Sequence, residues 1–381
     1  MRILTISHFY EAHGGGIERV AGHLSRQFTQ LGNDASWAAS DRDPLPEDAT
    51  RTIPLPCFNP LEKLTGLPMP IPGLRAVKSL MQAVRAHDAL VIHDSLYVTS
   101  ILAMMMARMQ GKRTVLIQHI ATIPFSSRPL RAIMKLANAT VTRAMLRAAD
   151  IRIFISDTVR RELLGTPPRL TCQVLFNGVD RSTFYPAPPG STKRAEPGAP
   201  LKILFVGRYV EKKGLSVLKE VAASRPDLTF LLAGNGPIRP GEWGLANVRD
   251  LGQQSSNALA ELYRDADLLL LPSVGEGYPL VIQEAMACGL PVICGSPTHQ
   301  ADPGAAAWLR GVEIDLTAPQ ASAGRIVGKI DTAILSPVQR LEMARYAHAQ
   351  YDWHTMAGRI LALIQKGDGS ISVSSAPGAG S

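Results

Sequence analysis

Tyr185-Pro-Ala-Pro-Pro-Gly-Ser-Thr-Lys-Arg-Ala-Glu-Pro-Gly-Ala-Pro200 runs straight into Leu201-Lys-Ile-Leu-Phe-Val-Gly207. The first stretch is crowded with proline, glycine and charge and has little to bury, so it reads as a linker. The second is a short apolar run of the kind that makes a buried strand. A new α/β unit therefore opens at residue 201. Upstream, RILTIS, ALVIHD, RTVLIQH, IRIFIS and QVLFN alternate with helical stretches; downstream, KILFVG, TFLLAG, DLLLLPS and LPVICG do the same. Repeated βα alternation means parallel sheets covered by helices. The expected fold class is α/β, with two doubly wound Rossmann-like domains facing across a cleft: residues 1–184, a linker at 185–200, and residues 201–348. An amphipathic helix is expected over 349–366, after Tyr351-Asp-Trp353-His354. The tail, 367–381, is rich in Gly, Ser and Ala and is expected to be disordered.

With 381 residues, 46% of them hydrophobic, the chain is long enough for two cores and apolar enough to fill them. The start, MRILTISHFY, lacks the long apolar core of a secretory signal and reads as a first strand. No apolar run reaches the roughly 20 residues of a membrane span. The nearest, Ser100–Ala107 with its three methionines, stops at Arg108 and is expected to be a buried helix. Cys57, Cys172, Cys288 and Cys294 are scattered without CxxC spacing or paired histidines, which argues against zinc and against a disulfide framework, and suits a reducing cytoplasm. The net charge of +8 is uneven: 21 basic against 14 acidic residues through Asp180, then 19 against 18. Between Arg108 and Arg152 nine basic residues meet one acidic residue, Asp150, with Leu130, Ile133, Met134, Ala137, Val141 and Met145 interleaved at helical spacing. Two readings stand side by side. Such a surface can lie on the anionic inner face of a membrane, which would make the protein peripheral there; or the stripe is core and the arginines are solvated. Nucleic acid is a poor partner, because no aromatic stacking platform or recognition motif accompanies the charge.

Glu276-Gly-Tyr-Pro-Leu-Val-Ile-Gln-Glu284 sets two carboxylates across a loop-to-helix junction. Pro279 suits a first helical position, since its missing N–H would have no partner there, and helical periodicity then continues to Gly289. Glu276 precedes the helix and Glu284 falls in its second turn, so the pair brackets the positive helix end. An anionic ligand held by free N–H groups there would leave the glutamates to grip uncharged hydroxyls, the outline of a nucleotide-sugar site. On the other wall, His13-Gly14-Gly15-Gly16-Ile17-Glu18-Arg19 follows the first strand and opens a helix-like stretch to about Leu31; glycines there let backbone approach a ligand closely. The spacing is not the dinucleotide fingerprint. Arg208 and Lys213 follow KILFVG at the carboxyl edge of the second sheet, and His119 ends RTVLIQH at the corresponding edge of the first. His8 and His93 also close strands and are read as structural. Lys212 is read as an exposed neighbour.

These strings resemble the retaining family 4 glycosyltransferases of the GT-B fold, the bacterial type of polysaccharide and glycolipid biosynthesis. Glu276 and Glu284 match the family's E-x7-E signature, and the likeness covers nearly the whole chain. The resemblance implies that Arg208 and Lys213 clamp phosphate, that Glu276 holds the donor sugar's hydroxyls, and that Glu284 holds the ribose. It places His119 at the donor sugar or its phosphate. Gly15 and Gly16 would lie under the donor diphosphate, with Gly277, Tyr278, Leu280 and Val281 around the donor. Gly252 and Gln253, in the segment beginning Val248, match the part whose backbone meets the base. No cofactor or metal is implied beyond a UDP- or GDP-sugar donor; the acceptor would be a saccharide, lipid-linked in many such systems, attacked through its hydroxyl with retention. The last helix would cross back onto the first domain. The chain departs from the family after LPVICG, where Ser296–Gly304 replaces a Gly-Gly-x-x-Glu turn; His299 and Asp302 there are read as turn and capping residues.

A metal-dependent transferase of the other common fold would need a DxD pair. Asp41-Arg-Asp43 has that spacing but no evident strand before it, and reads as a solvated turn. Two rivals of other classes remain: a nucleotide-sugar epimerase of the same fold, whose carboxylate cluster is not evident, and a non-catalytic carbohydrate-binding protein, which need not keep Arg208, Lys213 and both glutamates together.

Overall fold

The computed structural model describes residues 1–48, 50–59, 69–121, 128–188 and 199–366. Most of the linker and the whole 367–381 tail lie outside the described residues. Seven parallel strands form the first sheet, in the order β3 (Arg51–Leu55), β2 (Asp34–Ser40), β1 (Arg2–Ile6), β6 (Ala89–His93), β7 (Arg113–Gln118), β8 (Ile151–Phe154) and β9 (Gln173–Val174). Six parallel strands form the second: β12 (Val248–Gly252), β11 (Thr229–Ala233), β10 (Lys202–Val206), β13 (Leu268–Leu271), β14 (Val292–Gly295) and β15 (Leu309–Val312). A two-residue antiparallel pair, β4 (Cys57–Phe58) with β5 (Ile71–Pro72), sits apart. Both large sheets reverse their strand order beside their first strand, between β1 and β6 and between β10 and β13. The carboxyl ends of strands at such a switch point are where open α/β sheets bind ligands.

Alternation along each strand splits the first sheet's apolar residues between two cores. Leu4, Ile6, Leu90, Ile92 and Leu116 pack toward Leu80, Met104 and Leu146. Ile3, Val91, Val115 and Ile117 point the other way, toward Val20, Leu24 and Phe28 of the helix Gly16–Gln30. That second core also takes Trp353, Met356 and Ile360 from the last helix, Trp353–Gln365. The chain therefore leaves the second domain after the helix Pro337–Gln350 and crosses to the first. At the crossing, backbone of Trp353 passes so close to Gly178 that a Cβ there would lie 2.3 Å from the Trp353 nitrogen.

Four details differ from the sequence reading. Pro279 is not the first helical residue: it stands just outside the helix Leu280–Ala287 with ψ 135. Its fixed φ suits extended backbone as well as helix. The methionine-rich helix, Val98–Met109, buries Met104 and Met106 but leaves Met105 and Met109 open. Along Arg128–Ala137, Leu130 and Met134 are half-buried, whereas Ile133 and Leu136 are 62% and 65% exposed beside the exposed Arg131 and Lys135. The Asp41-Arg-Asp43 run does follow a strand, β2, although its carboxylates are taken separately, Asp41 by the Cys57 N–H and Asp43 by His13.

All four cysteines are free thiols. No helix among the described residues is long and apolar enough to cross a membrane.

Candidate functional site

The first wall is built at the switch point of the first sheet. Gly15 caps the helix Gly16–Gln30 in an extended conformation, with no side chain of its own to cap it. Glu18, fully buried, turns toward this loop and meets His8 Nε2 at 2.8 Å. Burial works to raise the Glu18 carboxyl, and His8 overrides it, leaving the group below its ordinary range. The His8 ring stacks on Tyr97, 3.6 Å between centroids. His119 is buried just past β7, and its ring Nε2 lies 2.9 Å from Nδ1 of His93. Burial pushes His119 down to about 3 and holds His93 well below its ordinary value, so both rings are neutral.

The second wall is built at the switch point of the second sheet. Arg208 stands exposed past β10, and the short turn Glu211–Lys213 follows it. Lys213 Nζ lies 3.0 Å from Glu276 Oε1, and Lys212 Nζ 4.0 Å from the same oxygen. Burial alone would raise the Glu276 carboxyl; Lys213, Lys212 and Arg208 overcome it and keep the group ionised below its usual range. Lys212 is therefore not the bystander expected of it. Its ammonium faces the same carboxylate, and burial lowers its affinity for the proton. Gly252, with φ 66, ends β12, and Gln253 accepts from Asn235 Nδ2 at 2.8 Å. The Gly234 N–H donates to the Gly252 carbonyl, and Gly207, just before Arg208, donates to Ala233, so this segment shares the carboxyl edge with Arg208.

Two contacts join the walls. A Cβ on Gly277 would fall 2.2 Å from the His119 carbonyl oxygen, so only glycine lets the Glu276 loop press against the first sheet there. Glu284, 3% exposed, receives Arg19 Nη2 at 2.9 Å on one oxygen and the Tyr263 hydroxyl at 3.1 Å on the other. Arg19 belongs to the helix that starts at Gly16, so this ion pair spans the domains. Leu280 packs in the first domain's second core, Val281 against the second domain's core. The ring of Tyr278 turns inward, its hydroxyl 2.9 Å from that of Tyr351, which leaves only its main chain for a ligand.

The structure thus gathers Glu276, Lys213, Arg208, Gly277 and His119 about one cleft, with Gly15, Gly16 and Glu284 beside Arg19. Sequence reasoning missed Lys212, Arg19, Glu18 and His93. The adjacent lysines and the Glu-Arg pair after the glycines were visible signals; the bond between His93 and His119 was not, because their strands pair only in three dimensions. Asp302 caps the turn at Pro303 and accepts from both Tyr346 and Tyr351, a structural post. Among the described residues no group of three or more His, Cys, Asp or Glu side chains is placed to hold a metal ion.

Residues 14–183 match the family described as Glycosyltransferase Family 4, and residues 191–350 the family described as Glycosyl transferases group 1. The chain is 26% identical to a GDP-mannose-dependent alpha-(1-6)-phosphatidylinositol dimannoside mannosyltransferase of Mycobacterium tuberculosis, over 96% of each. It is 36% identical to a D-inositol 3-phosphate glycosyltransferase of Mycolicibacterium gilvum over 138 residues, which cover 32% of this chain and 31% of that relative. Sucrose-phosphate synthase from Thermosynechococcus elongatus shares the fold, with a TM-score of 0.71 and 20% identity over 95% of this chain and 98% of that one. Anabaena HepE, solved in complex with UDP-glucose, does so with a TM-score of 0.65 and 19% identity over the same shares.

Proposed function

The chain belongs to the family 4 glycosyltransferases of the GT-B fold, and on that premise we propose that it moves a hexose-type sugar from a UDP- or GDP-sugar to a hydroxyl of a saccharide acceptor, with retention and without a metal ion. The observation that carries the reading is the set of three cations, Arg208, Lys212 and Lys213, around Glu276, with the next residue pressed on His119 of the opposite wall. An uncharged sugar has no use for so many cations; a diphosphate leaving group does. In the transfer the bond from the anomeric carbon to the diphosphate oxygen breaks and a bond to the acceptor oxygen forms on the same face. The acceptor proton passes to the departing phosphate oxygen. Arg208, Lys212 and Lys213 oppose the charge that builds there, and the walls supply orientation. Glu276 takes the donor sugar's hydroxyls once phosphate draws the lysines away, Glu284 takes the ribose, and Gly252 and Gln253 border the base.

UDP and GDP are the nucleotides to test, since HepE was solved with UDP-glucose and the mannosyltransferase relative is GDP-mannose-dependent. A lipid-linked acceptor at the inner membrane face suits the exposed Ile133, Leu136, Arg131 and Lys135 of the first domain. The place of action would then be the cytoplasm, with the protein peripheral on that membrane. A panel of UDP- and GDP-sugars tested by calorimetry, followed by turnover with and without EDTA, examines the reading. One tightly bound sugar nucleotide and EDTA-insensitive turnover are expected; no binding, or activity abolished by the chelator, would overturn it.

A further inference from the structure

His119 is held by two consecutive residues. Its main-chain N–H donates to Asp94 Oδ1 at 2.8 Å, while its ring Nε2 lies 2.9 Å from Nδ1 of His93. Both grips come from the end of β6, which runs beside β7 with His93 opposite Ile117. Neighbouring positions can both reach His119 because Asp94 adopts a left-handed backbone, φ 56, alone among the described residues other than glycine. A side-chain-bearing residue stays in that conformation only where its surroundings over-determine it, and such residues cluster at functional sites.

A bond between two imidazole nitrogens needs one proton between them, and both rings are neutral, so each carries a single N–H. The partner of His93's other nitrogen decides where the protons lie. His93 Nε2 is buried with no hydrogen-bond partner among the described residues. If His119 donated, His93 would have to carry its proton on that nitrogen, an N–H buried without an acceptor, which folded proteins almost never leave. If His93 donates from Nδ1, its Nε2 is merely an unused lone pair, and the proton of His119 must sit on its own Nδ1. Glu18 and His8 lie near enough to act electrostatically on His119, but they are paired with each other and compete for neither nitrogen.

We infer that His93 is a positioning residue that fixes His119 as the neutral Nδ1–H tautomer, so that the one ring nitrogen His93 leaves free meets the donor's diphosphate or sugar oxygens as a hydrogen-bond donor. The inference rests on the nucleotide-sugar reading of the cleft. With the opposite tautomer a bare lone pair would confront the oxygens of the departing diphosphate. The Nδ1–H form instead stabilises charge as it develops there.

Nitrogen-15 histidine labelling of the full chain, with His119 assigned by the signals missing from His119→Asn, reads the tautomer directly. The wild type is expected to show His119 protonated at Nδ1 and bare at Nε2. His93→Leu is expected to release His119 to the Nε2–H form common for free imidazole and to lower kcat about tenfold with donor KM nearly unchanged. His93→Asn, whose amide can donate from the same place, should restore both the tautomer and most of the rate. A wild-type Nε2–H signal, or a His119 tautomer indifferent to His93→Leu, would overturn the inference. If His93→Leu does not fold, the wild-type and His93→Asn spectra still decide it. A protein that shows the Nδ1–H tautomer yet binds no sugar nucleotide would overturn the ligand half through the function reading, leaving the tautomer assignment standing.

Discussion

Lys212 and Lys213 are neighbours in sequence, and both face one half-buried carboxylate, Glu276. Without a ligand the carboxylate offsets part of the ammonium charge, which helps a site keep such charge partly desolvated. A diphosphate offers the cations a better partner and frees the carboxylate for hydroxyls. Lys212→Ala is therefore expected to lower kcat/KM for the sugar nucleotide by about tenfold while leaving the melting temperature nearly unchanged, since its ammonium is the more distant one. Steady-state kinetics beside a thermal melt checks this, and wild-type kinetics would return Lys212 to the status of a surface lysine. Glu276 and Glu284 were legible in the sequence from spacing and apolar surroundings. Arg19 stood in view beside the glycines, but its role did not, because that role is the ion pair it makes with a residue 265 positions away.

Among the elements, strands rich in Val, Ile and Leu announced themselves and β2 did not. Asp34-Ala-Ser-Trp-Ala-Ala-Ser40 is a central strand whose residues after Asp34 are all buried, yet small residues carry little periodic hydrophobic signal. Missing it is also why Asp41-Arg-Asp43 looked like a turn without a strand. The helix Arg128–Ala137 shows the converse, a pattern visible in sequence whose meaning depends on what covers it. The apolar stripe divides between two faces: Leu130 and Met134 are half-buried, while Ile133 and Leu136 stand exposed beside Arg131 and Lys135. Ile133→Asp with Leu136→Asp is expected to abolish pelleting with anionic vesicles without altering the circular dichroism, because exposed side chains contribute little to the fold. Sedimentation with and without anionic lipid measures it, and undiminished pelleting would remove this helix from any membrane contact.

At the scale of the whole molecule, the cleft depends on how the last helix ties the two domains. Trp353 stacks on His23 of the Gly16–Gln30 helix, 4.7 Å between centroids, and its backbone lies against Gly178 at the end of the first domain. Gly178→Val would force that crossing apart. We expect a loss of about 1–3 kcal/mol, seen as an earlier urea midpoint by tryptophan fluorescence, together with weaker donor binding as the walls lose register. An unchanged midpoint would mean that the crossing is slack. Local sequence was enough for the two parallel α/β units and for the charged and acidic residues at the carboxyl ends of their strands. Those follow from local patterns of apolar run, glycine and proline, which act within a few residues. It took the folded chain to bring Arg19 to Glu284, to press Gly277 on His119 and to set His93 against the ring of His119. Such pairings lie between elements far apart in the chain, and which side chains meet there is set by the order of strands in a sheet and by the closing of one domain on the other.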